Sequence, residues 1–309
     1  MRLSARGVAA LGAIGLALGN VGRIPAIALG GRTSPIVLAD AVVVLIWCVI
    51  IIATLSGRAS IIVDDVMAAA CAFVAAALMS TLLAFGRYNL GVVEGAGVAA
   101  FLIRWIAYFG WYPFVMWCLT PNESRDAWRY IERALLAFAI FGIFQSAFLP
   151  GFAQMIHDGG DLPTWDVQGR RLVSSMLDPN FAGILVVIAL LFRLARVAEG
   201  MAQSGVVLAV LAAATLLTVS RSAILALIVG LVVIAGIRGL RLRLFRVIAL
   251  GGVLLLPFLS LLLSFAASFN KLHYDASAAQ RLVPWIRAGR LLVEHPWLGV
   301  GFNAIKQAQ

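Results

Sequence analysis

The sequence predicts an all-α fold, a polytopic bundle of transmembrane helices. Of the 309 residues, 62% are hydrophobic and only 12% are charged, and the mean hydropathy is +1.00. A soluble domain of this length needs more charged residues to cover its surface. Apolar runs of about 18 residues or more recur along the chain, and each is long enough to cross a hydrocarbon core of roughly 30 Å.

Nine apolar segments are predicted to span the membrane. The first is short and rich in glycine, and its basic start favours an uncleaved signal-anchor. We interpret residues 1–268 as one transmembrane helix bundle and residues 269–309 as the start of a large, incomplete outer loop. The nine spans are expected near 7–22, 35–55, 61–85, 97–119, 131–149, 180–197, 204–219, 222–237 and 247–268.

The arginine distribution orients this bundle with its N-terminus in the cytoplasm. In that orientation twelve arginines lie at the inner segments and six lie in the short outer loops, as the positive-inside rule requires. The run RGLRLRLFR at 238–246 is the strongest single indication. Residues 150–179 and 269–309 then face outward.

The second of these outward segments is basic, against the insertion bias. It holds five lysines and arginines and two acidic residues. One interpretation is a positively charged outer site for an anionic ligand. The other is that late segments cross the membrane regardless of their charge. The residue pattern alone leaves both open.

Arg221 is the first candidate for such a site, in the stretch TLLTVSRSAILALIVG at 215–230. It is predicted to lie in a tight turn between two spans, at the outer membrane boundary. Arginine can extend its charge to the interface from such a position, which gives a purely structural interpretation. The functional interpretation is a phosphate clamp, because the guanidinium offers a planar fork of donors. Ser220 and Ser222 would add hydroxyl donors or satisfy the turn.

Arg281 is the second candidate. Apolar residues recur at near-helical spacing from about 280 to 293, and Pro284 fits best in the first turn of such a helix. Arg281 is therefore expected at the helix N-terminus, where an anion is favoured. The alternative is a helix that lies on the membrane with solvated arginines.

Three other arginines could assist. Arg170 and Arg171 are expected on the outer loop upstream of the sixth span, either at the substrate or at lipid headgroups. Arg104, in FLIRWIAYFGWYP, would either anchor its span at the interface or line a cavity. Asp178 and Pro179 are explained by helix capping, as N-cap and first helical residue.

No metal or cofactor is expected. The histidines His157, His273 and His295 are isolated from one another in sequence, and no Cys, His or carboxylate cluster has metal-ligand spacing. The cysteines Cys48, Cys71 and Cys118 all fall within spans, so they indicate no disulfide framework.

Three pieces of the chain resemble the O-antigen ligase and polymerase superfamily, which are bacterial inner-membrane glycosyltransferases. They are RLVSSMLDPNFAG, LLTVSRSAILAL and R-x-x-x-W-x-x-A-x-x-L-x-x-E-H-P-W-L-G-V-G-F, and the resemblance covers roughly residues 170–303. It implies about a dozen spans, an inner N-terminus and a large periplasmic loop that carries the active site. It also implies transfer of a glycan from undecaprenyl diphosphate to an acceptor hydroxyl, without a metal. The acceptor is lipid A–core in the ligases and a lipid-linked repeat unit in the polymerases.

The resemblance also implies the roles of individual residues. Arg221 and Arg281 occupy the positions of two periplasmic arginines that bind the diphosphate. A histidine that acts on the acceptor is expected after the LGVGF turn, and none follows before Gln309. We therefore expect a C-terminally truncated chain that is inactive alone.

A different class of function remains open from the residues. A transporter or flippase for an anionic lipid-linked amphiphile would also place arginines beside a cavity. No inverted repeat and no pair of broken helices supports it. A non-catalytic membrane scaffold is a third interpretation. No nucleic-acid partner is expected.

Overall fold

The computed structural model describes residues 5–21, 28–29, 32–33, 37–59, 61–88, 91–157, 170–238, 276–302 and 304. Most of them are helical, which confirms the predicted all-α class. Two strands of two residues each, Ala28–Leu29 and Arg32–Thr33, pair antiparallel.

Eleven α-helices lie within the described residues. They are α1 (Ala5–Leu18), α2 (Leu38–Leu55), α3 (Asp65–Tyr88), α4 (Val92–Phe109), α5 (Trp111–Pro113), α6 (Pro121–Phe148), α7 (Phe152–His157), α8 (Pro179–Ala198), α9 (Gly205–Leu217), α10 (Arg221–Arg238) and α11 (Ala276–Glu294). A π-helical turn, Phe114–Cys118, follows α5, and a 3-10 turn, Ser174–Met176, precedes α8.

Five stretches of helix within the described residues are long and apolar enough to cross a membrane. They are Leu38–Leu55, Asp65–Tyr88, Gly95–Cys118, Pro121–Phe148 and Pro179–Ala198, and shorter apolar helices cover Arg6–Leu18, Gly205–Leu217 and Arg221–Gly236. All eight coincide with predicted spans. The predicted ninth span, 247–268, lies outside the described residues, so the count of nine stays a prediction.

The start of α6 differs most from its predicted span. The helix begins ten residues before the expected position 131. Pro121 is the first helical residue, and Thr120 and Glu123 form a reciprocal pair, in which the Thr120 N–H donates to the Glu123 carboxylate at 3.0 Å. This arrangement is a capping box. Hydropathy marks only the apolar part of a helix, and the polar first turns of α6 therefore escaped the prediction.

The chain divides into two compact units. The first comprises Met1–Ala9, Arg23–Arg125 and Asn270–Gln309. Its largest buried cluster joins α1, α2 and the π-helical turn, and consists of Val8, Val42, Ile46, Ile50 and Phe114.

The second unit comprises Ala10–Gly22 and Asp126–Phe269. In its core α8 packs against α9 and α10. The approach of α8 to α10 is close, because a Cβ atom built on Gly183 would lie 2.7 Å from the Ala223 Cβ. The buried core residues are Leu135, Phe138, Ala139, Leu172, Ala182, Val186, Ala189, Leu190, Leu211 and Ala214.

The expected start of α11 is wrong. The helix begins at Ala276, so Pro284 lies inside it and Arg281 is its sixth residue instead of lying at the N-terminus. The stretch ASAAQ before Arg281 is rich in alanine, the strongest helix former, and extends the helix upstream. Proline inside a helix removes one backbone hydrogen bond, a loss that this helix tolerates.

Candidate functional site

We call residues 218–222 the Arg221 turn: the link 218–220 between α9 and α10, and the first two residues of α10, Arg221 and Ser222. Only three residues separate the two helices, as the predicted tight turn requires. Val219 has φ +48°. This left-handed conformation is unfavourable for a β-branched residue, so the surrounding structure must hold it.

Arg221 is the first residue of α10 and is partly buried. The helix dipole adds positive potential at this end of α10. The combination of an arginine with a helix N-terminus was expected at Arg281, but the structure has it at Arg221. This end of α10 is therefore suited to an anion.

Ser220 and Ser222 differ in exposure. Ser220 is 1% exposed, and its hydroxyl donates to the Asn180 Oδ1 at 3.0 Å and accepts from the Ala223 N–H at 3.4 Å. Ser220 is thus the N-cap of α10 and ties it to α8. Ser222 is exposed, with its hydroxyl 3.0 Å from that of Ser220. Of the two hydroxyls, that of Ser222 is the accessible one.

Arg171 reaches the Arg221 turn from the segment before α8. Its Nε donates to the Thr218 carbonyl and one of its terminal nitrogens donates to the Val219 carbonyl, both at 2.9 Å. Arg170, by contrast, is exposed. The structure therefore brings together Arg171, Ser220, Arg221 and Ser222, and places Arg170 next to them in sequence.

Gln145 is a residue of this site that the sequence analysis missed. Its side chain is fully buried, and its Oε1 accepts from the N–H groups of Val173 and Ser174 at 3.0 and 3.1 Å. Its position in the apolar run AIFGIFQSAF could have indicated this role, because a buried amide needs hydrogen-bond partners. Asn180 lies within the motif RLVSSMLDPNFAG, and its contact with Ser220 depends on how the helices pack.

The capping of α8 agrees with the sequence interpretation. The Asp178 carboxylate accepts from the N–H groups of Asn180 and Phe181, and Pro179 is the first helical residue. This confirms Asp178 as an N-cap, and no catalytic role is needed to explain it.

Arg104 lies in the first compact unit, within α4. It forms an ion pair of 2.9 Å with Asp40, and the Tyr108 hydroxyl donates to the same carboxylate at 3.0 Å. Asp40 was not singled out, although a carboxylate in an apolar span marks a position with a partner.

A cavity of about 430 Å³ lies beside this ion pair, and we call it the α4 groove. It is lined by Phe101, Arg104, Trp105, Tyr108 and Phe302. Phe302 comes from the HPWLGVGF stretch. Arg104 thus lines a cavity, one of the two arrangements expected for it.

The HPWLGVGF stretch is held on α3 by specific contacts. The Ser80 hydroxyl donates to the Leu298 carbonyl, and the Phe302 N–H donates to the Thr81 hydroxyl at 3.3 Å. Gly301 has φ +105°, and a Cβ atom there would lie 2.6 Å from the Ala84 Cβ. Only glycine fits this position, which explains the glycine in the sequence.

No group of three or more His, Cys, Asp and Glu side chains in the described part of the chain is arranged to hold a metal ion. The charged groups that mark the two candidate sites are guanidinium groups with one carboxylate. The Arg221 turn is therefore suited to an anionic ligand, and the α4 groove, where Asp40 neutralises Arg104, is suited to a hydroxyl-rich one.

The apolar helices define the chain as a multi-pass α-helical membrane protein. Residues 205–309, from α9 to beyond the HPWLGVGF stretch, match the protein-family model Wzy_C, described as O-Antigen ligase. This match supports membership of the O-antigen ligase superfamily, the family that the motifs resemble. No curated protein and no solved structure matches the chain.

Proposed function

We propose that this protein is an O-antigen ligase-like glycosyltransferase of the bacterial inner membrane. It transfers a glycan from undecaprenyl diphosphate to a hydroxyl of lipid A–core on the periplasmic face. The observation that carries the proposal is the position of Arg221 at the N-terminus of α10, inside the segment that matches the ligase family. A guanidinium and the positive end of a helix dipole together suit a diphosphate.

The proposed reaction breaks the bond between the anomeric carbon and the diphosphate oxygen and forms a bond from that carbon to the acceptor oxygen. Undecaprenyl diphosphate leaves with an additional negative charge, which a preorganised positive site stabilises. Arg221 supplies that charge in this proposal. The motif resemblance assigns the same task to Arg281, and no metal is required for it. The acceptor hydroxyl loses its proton to a base, which the resemblance identifies with a histidine after LGVGF.

Of the remaining site residues, some are proposed to contact the donor and one to stabilise the Arg221 turn. The exposed hydroxyl of Ser222 and the exposed Arg170 are proposed to contact the donor, whereas Ser220 is proposed to hold the turn. The α4 groove is proposed to bind a sugar ring of the substrate. A sugar ring has an apolar face and hydroxyl groups, and the groove offers Trp105 and Tyr108 beside the charged pair of Arg104 and Asp40.

The decisive experiment is glycan transfer by the complete protein in proteoliposomes, with an undecaprenyl-diphosphate-linked glycan and lipid A–core as substrates. The expected result is ligated product from the parent protein and a severe loss with Arg221→Ala. Absence of ligated product from a folded, complete protein would contradict the ligase proposal.

The groove has its own test in the same assay. Trp105→Ala should raise KM for the glycan substrate about 2- to 10-fold, the range that corresponds to loss of one aromatic stacking contact. Trp128→Ala, which removes a tryptophan of α6 outside the groove, is the control and should leave KM unchanged. An unchanged KM for Trp105→Ala would exclude the groove as a sugar site.

A polymerase is the second candidate, because its donor site would be the same and only the acceptor differs. The family match extends over both the Arg221 turn and the HPWLGVGF stretch, which the motif resemblance attributes to ligases and polymerases alike. Replacing lipid A–core by a second lipid-linked repeat unit in the assay distinguishes the two. Elongated lipid-linked glycan would favour the polymerase.

A further inference from the structure

We propose that Arg171 is a positioning residue that holds the Arg221 turn in its diphosphate-binding conformation. The inference rests on the proposed function of Arg221. It changes the role expected from the sequence, because Arg171 then acts through the turn and makes no contact with the diphosphate itself.

The first support is the fork of hydrogen bonds from Arg171. Its Nε and one terminal nitrogen donate to two successive carbonyls, those of Thr218 and Val219. Two bonds from one rigid guanidinium fix the direction of the peptide between them. The carbonyls lie at the C-terminal end of α9, where unpaired C=O groups and the helix dipole favour a cation.

The second support is the backbone of Val219. A valine at φ +48° is strained, and such residues persist where neighbouring contacts hold them. Arg171 binds the carbonyl of this residue, and the adjacent Leu172 N–H donates to the Leu217 carbonyl at 2.8 Å. Residues 171–172 therefore form hydrogen bonds with the peptide groups before and after Val219. Two residues after Val219 the chain enters α10 at Arg221.

The third support is the attachment of residues 170–174 to α6 by hydrogen bonds. Gln145 of α6 accepts from the N–H groups of Val173 and Ser174, and Ser146 donates to the Arg170 carbonyl at 2.6 Å. The Ser174 hydroxyl in turn donates to the Phe138 carbonyl at 2.8 Å. A continuous path of hydrogen bonds thus runs from α6 to the carbonyls that precede Arg221.

Two readouts test this role. Hydrogen–deuterium exchange of the peptide that covers residues 216–223 reports on the turn with no ligand present. Binding of undecaprenyl diphosphate to the purified protein in nanodiscs, with undecaprenyl monophosphate as the reference probe, reports on function. The variants are Arg171→Ala, Arg221→Ala and the double variant.

Arg196→Ala is the matched control. It removes an arginine of the same unit that forms an ion pair of 3.0 Å with Glu132. Arg196 lies in the last turn of α8, whereas Asn180, the contact of Ser220, lies in the first, so the two ends are about 24 Å apart. The control therefore measures loss of a partly buried arginine contact without a change at the turn.

The expected result has two parts. Arg171→Ala speeds exchange in residues 216–223 and weakens binding of undecaprenyl diphosphate about 10- to 100-fold, the cost of losing one hydrogen bond to a charged group. Arg196→Ala does neither. In the Arg221→Ala background, Arg171→Ala changes affinity by less than about twofold, because the group through which it acts is already absent.

Several outcomes would overturn the inference. Unchanged exchange in Arg171→Ala would show that it does not hold the turn. Losses that multiply in the double variant would show that Arg171 contacts the ligand directly. If Arg221→Ala binds the probe as the parent does, the proposed diphosphate site is wrong, and exchange alone then decides whether Arg171 braces the turn. If Arg171→Ala does not fold, Arg171→Lys, which reaches one carbonyl instead of two, undergoes the same measurements with the same criteria.

Discussion

At the scale of single residues, substitutions of Arg221 distinguish a phosphate-binding role from that of an arginine anchored at the membrane interface. Loss of one charge-assisted, partly buried phosphate contact should cost about 2–4 kcal/mol, or roughly 30- to 1000-fold in transfer rate. Lysine keeps the charge but lacks the fork, so Arg221→Lys should recover little. The measurement is transfer per folded protein for Arg221→Ala, Arg221→Lys and Arg281→Ala. A fully active Arg221→Lys, with alanine variants that lose only abundance, would favour the interfacial interpretation.

The two serines beside Arg221 form a matched pair with opposite expectations. Ser220→Ala removes the buried N-cap of α10 and should lower stability by about 0.5–2 kcal/mol, measured as a lower Tm in detergent. Ser222→Ala removes an exposed hydroxyl and should leave Tm nearly unchanged while it lowers transfer. The reverse pattern, with a large change of Tm for Ser222→Ala only, would contradict this division of roles.

At the scale of helices, the contact of α8 with α10 positions the Arg221 turn. Gly183→Ala should destabilise the protein by about 1–3 kcal/mol, because its new Cβ would lie 2.7 Å from the Ala223 Cβ. Adding Ala223→Gly removes the atom that clashes and should recover part of the loss. Gly236→Ala, where no atom lies within 4 Å of the added Cβ, is the control and should be neutral or slightly stabilising. Equal Tm values for Gly183→Ala and Gly236→Ala would show that this contact does not constrain the helices.

The helices also show what sequence could and could not predict. Within the described residues, apolar length located five helices long enough to cross a membrane and three shorter apolar helices, because a helix must cover the hydrocarbon core with apolar residues. The helix α11 has a weaker apolar pattern, so its start was placed by a proline that proved to lie inside it. The pairing of Arg104 with Asp40 joins residues 64 positions apart, and the hold of Gln145 on Val173 joins residues 28 apart. Such contacts depend on packing between helices, which the local sequence pattern does not predict.

At the scale of the whole molecule, the orientation in the membrane remains a prediction. The hydrogen bonds of Ser80 and Thr81 with the HPWLGVGF stretch place that stretch at the C-terminal half of α3. This contact supports a position for residues 298–302 on the side of the membrane where α3 ends, as predicted. The arginine asymmetry then predicts which side that is, the periplasm.

Single-cysteine labelling in intact cells tests this orientation. In a background with Cys48, Cys71 and Cys118 replaced, an impermeant maleimide should label Trp297→Cys, since Trp297 is 93% exposed. It should not label Leu242→Cys until the cells are permeabilised, because the positive-inside rule predicts that the arginines of 238–246 lie in the cytoplasm. Labelling of Leu242→Cys from outside would show that the bundle has the opposite orientation. The Arg221 turn would then lie on the cytoplasmic side, where a periplasmic glycan transfer cannot occur, and the orientation and the proposed function would fail together.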